Sequence, residues 1–364
     1  MLILAIETSC DDTAVAVLKI NADKVSVLSN TISSQVKLHS KYGGVYPTLA
    51  AREHEKNLPK VLKKSLKEAG LRSPADADIF AVTSGPGLSV ALWRGVNFAK
   101  ELAKKYGKPL VPTNHIEGHI YSNWLKPVGK SSILNFKFSK KIFPVLCLVV
   151  SGGHTELILM KGHGKYKLVG RTRDDAAGEA FDKIARILGL GYPGGPAIAT
   201  RAAMERKMQS AKRKIELPRP MMHSKDYDFS FSGLKTAVLY LVKGQNESRK
   251  SKKLSPALKT SIAAEAQQAI VDVLVSKTLR AVKEFKAKTI MLSGGVSANK
   301  LLRETLKKEA GKIKTPVFIP EMEYTTDNAA MIAAAAWQQV KSSRSKVQGH
   351  DAENIKAYAN WELV

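Results

Sequence analysis

The amino-acid sequence predicts an α/β protein of two lobes that repeat one pattern of secondary structure. The pattern is a β-hairpin followed later by a strand, a glycine turn and a helix, and it occurs once in each half of the chain. The 364 residues are enough for two hydrophobic cores. We therefore expect an N-terminal lobe at residues 1–120, joined by a C-terminal helix at 326–340, then a second lobe at 121–325 and a tail at 341–364.

The first copy of the pattern begins at the N-terminus. Its predicted elements are hairpin strands at 2–6 and 13–20, a strand at 25–33, a helix at 48–70, a strand at 79–83, and a helix that begins at Ser89 and is closed by Gly107. A strand at 110–112 then leads into the segment that starts with His115. Residues 122–144, which mix basic and aromatic side chains, are expected to form a loop.

The second copy repeats these elements around a large insertion. Its predicted elements are strands at 145–150 and 155–161, a strand at 289–292, and a helix from Ala298 to about Ala310. The insertion, about 170–255, is expected to hold a basic helix at 201–214 and a charged linker at 243–253. A long amphipathic helix at 256–285 follows it.

The C-terminal part is expected to contain one more helix, at 329–340. Asp327 or a neighbouring threonine is the expected N-cap of this helix, because short polar side chains accept the free N–H groups of a first turn. Residues 341–357 are polar and expected to be loose, and residues 358–364 are expected to return as a short strand.

The composition indicates a soluble protein with a polyanionic partner. Lysine and arginine number 58 against 32 acidic residues, a formal net charge of +26, which favours nucleic acid. A lysine-rich surface that serves solubility alone is the alternative. No basic leader is visible and no apolar run reaches the length of a membrane span. Since Cys10 and Cys147 are far apart in sequence, a reducing cytoplasm is expected.

Glycine turns and an acidic turn indicate a nucleotide site. Residues 151–153 and 293–295 read Ser-Gly-Gly after buried strands, where glycine lets backbone N–H groups approach a phosphate. Asp11 and Asp12 lie in the first hairpin turn and are candidates to act through a metal or water. The alternatives are turns that only connect strands and acids that are only solvated.

A pair of histidines indicates a metal site. His115 and His119 are four residues apart, so a helix stacks them on one face, where one metal ion can bind both imidazoles. Glu117 lies about 200° around such a helix from each histidine and points away from that face. This spacing differs from the His-Glu-x-x-His motif of metalloproteases. Two solvated or structural histidines remain the alternative.

Eight short motifs in one order complete the sequence signal. They are ETSCDD at 7–12, HIEGH at 115–119, SGGHT at 151–155, GEAFDK at 178–183, YPGGP at 192–196, FSFSGLK at 229–235, SGGVSAN at 293–299 and TDNAAM at 326–331. Together they resemble the tRNA threonylcarbamoyltransferase family, which comprises TsaD and its archaeal and mitochondrial relatives. Residues 223–228 resemble the bacterial branch of this family.

The resemblance implies a fold and a set of site residues. The implied fold is the duplicated, two-lobed fold of the actin-like ATPase and sugar kinase superfamily. The implied metal ligands are His115, His119 and Asp327, for one divalent ion. Iron is the first expectation, and zinc or manganese also suit this ligand set. The implied contacts to an adenylate substrate or ATP are Val149, Val150, Ser151, Gly152, Gly153, Asp182, Gly195 and Asn299.

The resemblance also implies a reaction and partners. The expected reaction transfers a threonylcarbamoyl group from threonylcarbamoyl-AMP to the N6 amine of the adenosine 3′ to the anticodon, in tRNAs that read codons beginning with A. The expected protein partners are a catalytically silent paralogue and a small P-loop-type ATPase. Three alternatives remain at this point: a metalloprotease, a small-molecule kinase on the same fold, and a non-enzymatic nucleotide-gated scaffold.

Overall fold

A computed structural model of the protein describes residues 1–21, 24–133, 141–208, 215–247, 254–342 and 352–363. The chain forms two compact units. The N-terminal unit comprises Met1–Phe143, Met160–Tyr166 and Pro320–Val364, and the central unit comprises Pro144–Leu159 and Lys167–Ile319. Among the described residues, no helix is long and apolar enough to cross a membrane.

The N-terminal unit is built on a six-stranded sheet. Its strands, in the order β5-β4-β1-β2-β3-β6, are β1 (Leu2–Glu7), β2 (Asp12–Asn21), β3 (Lys24–Ser34), β4 (Ile79–Gly85), β5 (Leu110–Asn114) and β6 (Ser131–Ile133). The pairs β1–β2 and β2–β3 are antiparallel, whereas β1–β4 and β4–β5 are parallel. Strand β4 is buried throughout, which explains why it begins with a continuous apolar run at residues 79–82 rather than an alternating pattern.

The central unit contains the second copy of this sheet. The order β11-β10-β7-β8-β9 is formed by β7 (Val145–Val150), β8 (Thr155–Gly162), β9 (Lys165–Arg171), β10 (Thr289–Ser293) and β11 (Val317–Phe318). As with β4 beside β1, β10 pairs in parallel with β7. The predicted internal duplication is therefore confirmed for the first five strands of the N-terminal sheet, whose order recurs in the second sheet, while β6 is additional. Residues 160–166, where β8 turns into β9, belong to the N-terminal unit.

Helices cover these sheets in both units. Those of the N-terminal unit are Val36–His39, Pro47–Glu68, Ser89–Tyr106, the histidine helix His115–Tyr121, and the alanine helix Ala329–Ser342. Those of the central unit are Ala177–Leu188, Gly194–Met208, Ser232–Glu247, Pro256–Glu284 and Lys300–Lys312. In Pro256–Glu284 a stripe that includes Ile262, Ile270 and Leu274 is fully buried in the core of the central unit, as its amphipathic sequence predicts.

Several predicted elements differ from the structure. The segment 122–144 is not all loop, because the polar strand β6 adds to the edge of β3 through backbone pairing, which hydrophobic patterning does not reveal. The basic helix begins at Gly194 instead of residue 201, and the predicted residues 209–214 lie outside the described ones. The predicted linker at 243–253 overlaps the end of Ser232–Glu247, and its residues 248–253 also lie outside the described part.

The C-terminal segment also differs from expectation. Residues 358–363 form no strand; instead they bind the turn after β4, where Tyr358 N–H donates to Ser84 O at 2.6 Å and Gly87 N–H donates to Ala359 O at 3.1 Å. A turn offers too few backbone groups for a ladder, so the segment stays irregular. Ile355 is buried in the core of the N-terminal unit, so this part of the tail is not loose, while residues 343–351 lie outside the described ones.

The glycine turn after β10 depends on a glycine at its second position. Gly294 has φ +85°, and a Cβ there would lie 2.4 Å from Val150 O. We expect Gly294→Ala to lower the unfolding free energy by about 2 kcal/mol or more, because strain and a backbone clash act together. Gly311→Ala, in the same unit with nothing within 4 Å of its Cβ, is the matched control and should change stability by less than about 1 kcal/mol. Equal unfolding midpoints for the two variants in urea would contradict this.

Candidate metal centre

The histidine helix is fixed at its first turn and packed closely along its side. Asn114, the last residue of β5, caps it, since Asn114 Oδ1 accepts the N–H groups of Ile116 at 2.9 Å and Glu117 at 3.2 Å. A Cβ at Gly118 would lie 2.9 Å from Ile332 Cδ1. The histidine helix therefore packs closely against the side chains of Met331 and Ile332 in the alanine helix, with Gly118 at the contact.

Asp327 precedes the alanine helix and faces both histidines. Its Oδ1 lies 3.2 Å from His119 Nε2 and 3.5 Å from His115 Nε2. The two imidazole rings are 4.6 Å apart at their centroids and stand edge to face at 79°. The expected N-cap role of Asp327 is wrong, because Asn328 Oδ1 accepts the Met331 N–H at 3.0 Å and caps the helix instead. Asp327 is thereby left to face the histidines.

The donor set fits a metal ion. One candidate ligand atom from each of His115, His119 and Asp327 lies within 4.8 Å of the others. Ligands bonded to one ion at about 2.0–2.2 Å stand about 3.0–3.5 Å apart, close to the carboxylate–imidazole distances found here. His119 is fully buried; its Nε2 faces Asp327 Oδ1, and its Nδ1 makes no hydrogen bond within the described residues. A buried imidazole beside a carboxylate is an arrangement that a metal ion between the two groups would stabilise further.

The charges of the three side chains are strongly linked. Burial by itself would lower the pKa of His115. The negative charges of Asp327 and Glu7 have the larger effect and raise this pKa to about 10. Burial alone raises the pKa of Asp327, and the two imidazoles reverse this and hold it well below its usual range. Burial lowers the pKa of His119. In the metal-free protein a proton on His115 thus compensates Asp327, and a divalent ion competes with that proton.

Glu7 is a second partner of His115 that sequence reasoning missed. This fully buried residue ends β1, and its Oε2 lies 3.1 Å from His115 Nδ1. The Thr83 hydroxyl and the Ser9 N–H both donate to the same carboxylate and hold it in place. A carboxylate on Nδ1 orients the ring so that Nε2 faces Asp327. The sequence feature that could have indicated this role is the position of Glu7, an acidic residue directly after a run of apolar residues.

The two acids of the first hairpin turn lie near this cluster. Burial and then the charge of Asp327 raise the pKa of Asp11. Burial also raises the pKa of Asp12 to about 7, against a hydrogen bond from Ser34 that lowers it. Asp11 and Asp12 are therefore partly desolvated carboxyls whose charges interact with Asp327, and they are not merely solvated turn residues.

Glu117 lies on the opposite side of the histidine helix, as the helical geometry predicts. Its Oε1 accepts from Tyr166 OH at 2.8 Å and its Oε2 accepts from Gln339 Nε2 at 3.0 Å. Only 5% of the residue is exposed, and burial raises its pKa. The sequence did not indicate this burial, because a glutamate usually faces solvent.

The central unit brings its predicted substrate residues close to one helix. Val149 and Val150 are buried in β7, and the turn after them touches the start of Ala177–Leu188, where Gly178 N–H donates to Ser151 O at 3.2 Å. A Cβ at Gly178 would lie 2.8 Å from the Cα of Gly152. The turn and the N-terminus of this helix are therefore in direct contact.

The remaining predicted substrate residues take part in hydrogen bonds within the central unit. Asp182 Oδ1 accepts the Gly194 N–H at 2.6 Å, next to Gly195. Asn299 is the N-cap of Lys300–Lys312, so this helix begins two residues later than predicted. The Oδ1 of Asn299 accepts the Leu302 N–H, and its Nδ2 donates to Gln267 Oε1 at 3.0 Å. Within the described residues, nothing lies within 4 Å of a Cβ at Gly152, Gly153 or Gly195, so ligand atoms can approach this backbone.

Solved structures define the class of fold. The chain is similar to the crystal structure of HypF from T. kodakarensis, with TM-score 0.59 at 14% identity over 94% of this chain and 48% of that one. It is also similar to component A of the (R)-2-hydroxyglutaryl-CoA dehydratase of Acidaminococcus fermentans, with TM-score 0.51 at 13% identity over 94% and 99% of the two chains. The fold is the duplicated α/β fold of the actin-like ATPase and sugar kinase superfamily.

Sequence relatives narrow this class to one family. The chain matches the TsaD family, described as tRNA N6-adenosine threonylcarbamoyltransferase, over residues 26–334. Proteins of that name are 50% identical to it in Dehalococcoides mccartyi, covering 98% of both chains, and 48% identical in Thermomicrobium roseum, covering 93% of this chain and 91% of the relative. The chain belongs to the TsaD family, and the resemblance of the eight motifs is confirmed.

The contact between Glu7 and His115 predicts an effect on metal affinity. We expect Glu7→Gln to weaken binding of a divalent metal roughly 10–100-fold, since a neutral amide orients His115 less firmly and does not raise its basicity. Calorimetric titration of chelator-treated protein with Zn²⁺ or Mn²⁺ measures this. Glu117→Gln is the matched control, because it neutralises a buried carboxylate that touches neither histidine. A Glu7→Gln variant with the affinity of that control would contradict the orienting role.

The raised pKa of Asp12 predicts a pH dependence of stability. Native Asp12 binds its proton more tightly than the unfolded chain, where its pKa is about 3.9. The native state therefore loses stability as the pH rises from about 4 to 7. In the metal-free protein, Asp12→Asn removes this loss, so its unfolding free energy relative to wild type should rise between pH 4 and pH 8. A difference that stays constant across this range in urea titrations would show that Asp12 is not perturbed.

Proposed function

We propose that this protein transfers the threonylcarbamoyl group of threonylcarbamoyl-AMP to the N6 amine of the adenosine 3′ to the anticodon, in tRNAs that read codons beginning with A. The observation that carries this proposal is the identity of 45–50% to proteins named tRNA N6-adenosine threonylcarbamoyltransferase, over more than nine-tenths of the chain. The aligned span covers both the histidine cluster and the glycine turns.

His115, His119 and Asp327 would hold one divalent metal ion. Two imidazoles and one carboxylate that leave positions open are a ligand set typical of iron, and zinc or manganese also suit it. When bound, such an ion supplies a Lewis acid that polarises an acyl carbonyl or neutralises a phosphate oxygen. Glu7 keeps His115 directed toward this position through its contact with Nδ1.

The adenylate, or ATP, would bind in the central unit. In this proposal Gly152 and Gly153 offer backbone N–H groups to a phosphate next to the N-terminus of Ala177–Leu188, where the helix favours negative charge. Val149, Val150 and Ser151 lead into this turn, and Ser151 N–H closes it by donating to His154 O at 2.8 Å. Asp182, Gly195 and Asn299 are the further contacts in this proposal. The open space beside Gly152, Gly153 and Gly195 supports it, because ligand atoms can reach this backbone.

The transfer itself needs positioning and one proton acceptor. The N6 nitrogen bonds to the carbamoyl carbon, the bond from that carbon to the phosphate oxygen breaks, and AMP leaves with the electron pair. The nitrogen then gives up a proton. Asp12, whose pKa is raised to about 7, is the candidate acceptor, since a base near the working pH is the most effective; Asp11 is the second candidate. No covalent intermediate on the enzyme is required.

The excess of basic residues would hold the tRNA. A formal charge of +26 attracts the phosphate backbone, and the acceptor adenosine lies in a single-stranded loop from which it can be splayed out. We further propose that the protein acts in the cytoplasm, together with a catalytically silent paralogue and a small P-loop-type ATPase. The membership of the chain in the TsaD family supports these partners.

The proposal predicts which side chains the reaction requires. With threonylcarbamoyl-AMP and unmodified tRNA, we expect His115→Ala and Asp327→Ala to lower the rate at least about 100-fold and to abolish stoichiometric metal binding. Glu117→Gln, on the opposite face of the same helix, should retain most of the activity. Nucleoside analysis of the tRNA and elemental analysis of protein purified without chelator provide the two readouts.

Two outcomes would overturn the proposal. Full activity of both metal-site variants would remove the metal from the reaction. ATP-dependent phosphorylation of a small hydroxyl compound, or metal-dependent cleavage of a polypeptide, without any transfer to tRNA would replace the proposed activity altogether.

A further inference from the structure

We propose that Tyr42 and Tyr46 form a stacking platform for an unpaired base of the tRNA anticodon loop. This inference rests on the proposed function, because it takes tRNA as the substrate. It concerns a surface that is separate from the metal ligands and from the glycine turns.

The two tyrosines form an exposed aromatic pair. Tyr42 is 61% and Tyr46 is 53% exposed, and their rings lie 5.6 Å apart at an interplanar angle of 29°. Both ends of the pair thus keep a large aromatic surface in water. Aromatic faces of this kind bind unstacked bases, and each stack strengthens binding independently of the base identity.

The platform is anchored from below by buried polar side chains. Tyr46 N–H donates to His39 Nδ1 at 3.2 Å, and His39 Nε2 lies 3.1 Å from Gln35 Oε1. His39 is fully buried and Gln35 is 4% exposed. Tyr46 also immediately precedes the helix Pro47–Glu68, so its backbone is fixed. Binding of a base to Tyr46 therefore costs the protein little conformational entropy.

The same anchor connects the platform to the acidic turn. Gln35 N–H donates to Asp11 O at 3.0 Å. Asp11 in turn lies close enough to Asp327 for the two carboxylates to interact. The tyrosine pair is therefore connected to the acidic turn within the N-terminal unit, through His39 and Gln35.

Charge favours RNA as the occupant of this surface. Residues 35–52 include the basic residues Lys37, Lys41 and Arg52 and no aspartate or glutamate. All three basic residues are exposed. Lysine beside an exposed aromatic ring pairs a phosphate contact with a base contact, the combination typical of single-strand binding.

The proposal is tested by binding rather than by catalysis. The probe is a fluorescent anticodon stem-loop RNA, and its affinity is measured at fixed salt by anisotropy. We expect Tyr42→Ala and Tyr46→Ala each to weaken binding about 5–50-fold, whereas Tyr42→Phe, which keeps the ring, binds as wild type. Tyr240→Ala is the matched control, since Tyr240 is 67% exposed in the central unit and has no role in the proposal.

A second RNA separates stacking from other effects. In a stem-loop whose loop nucleotides are abasic, wild type and Tyr42→Ala should bind equally, because no base remains to stack. In the transfer assay the variants should raise KM for tRNA and leave KM for threonylcarbamoyl-AMP unchanged. Thermal unfolding midpoints equal to that of wild type confirm that the alanine variants fold.

Three results would overturn the platform. The first is that the alanine variants bind the stem-loop with the affinity of wild type. The second is that they lose as much affinity for the abasic RNA as for the intact stem-loop. The third is that they lose only the binding of a partner protein. If wild type binds RNA with the predicted tyrosine dependence but transfers nothing, the proposed function fails and the platform stands. If transfer occurs without tyrosine dependence, the platform fails alone.

Discussion

The candidate metal centre depends on one close contact between two helices. Gly118 faces Met331 and Ile332 across the boundary between the histidine helix and the alanine helix, and an added Cβ would meet Ile332 Cδ1 at 2.9 Å. Beside this contact, Asp327 Oδ1 lies within 3.5 Å of one nitrogen of each imidazole. The alanines that follow Asp327 in the alanine helix are buried. Their small side chains let this helix pack directly on the sheet.

Burial makes the electrostatics of this site sensitive to each charge. Two buried imidazoles and a carboxylate that is about one-fifth exposed lose hydration that mutual attraction or a cation offsets. Glu7 adds a second carboxylate at 3.1 Å from His115, so negative charge is in excess around the two rings. A metal ion of charge +2 balances Glu7 and Asp327 while both histidines stay neutral, which is the form that binds metal.

The sequence predicted those features whose pattern is local. Buried strands appear as apolar runs, so the hairpins and the duplicated order were visible, and helical spacing correctly set Glu117 opposite the histidines. Asp327 came only from the family resemblance, because no local spacing connects it to His115. Glu7, the strand β6 and the burial of Glu117 were missed because each depends on a partner distant in sequence: His115, the edge of β3 and Gln339 respectively.

The C-terminal segment shows how such distant contacts reach the histidines. Asn114 caps the histidine helix with its Oδ1, and its Nδ2 donates to Trp361 O at 3.0 Å. One amide side chain thus connects the last residues of the chain to the first turn of the helix that carries both candidate ligands. Because both the Oδ1 and the Nδ2 of Asn114 make hydrogen bonds, its side-chain amide has a single orientation. The C-terminal segment therefore restricts the rotation of the Asn114 side chain. The position of His115 is therefore set from three directions: by the cap, by Glu7 and by the alanine helix.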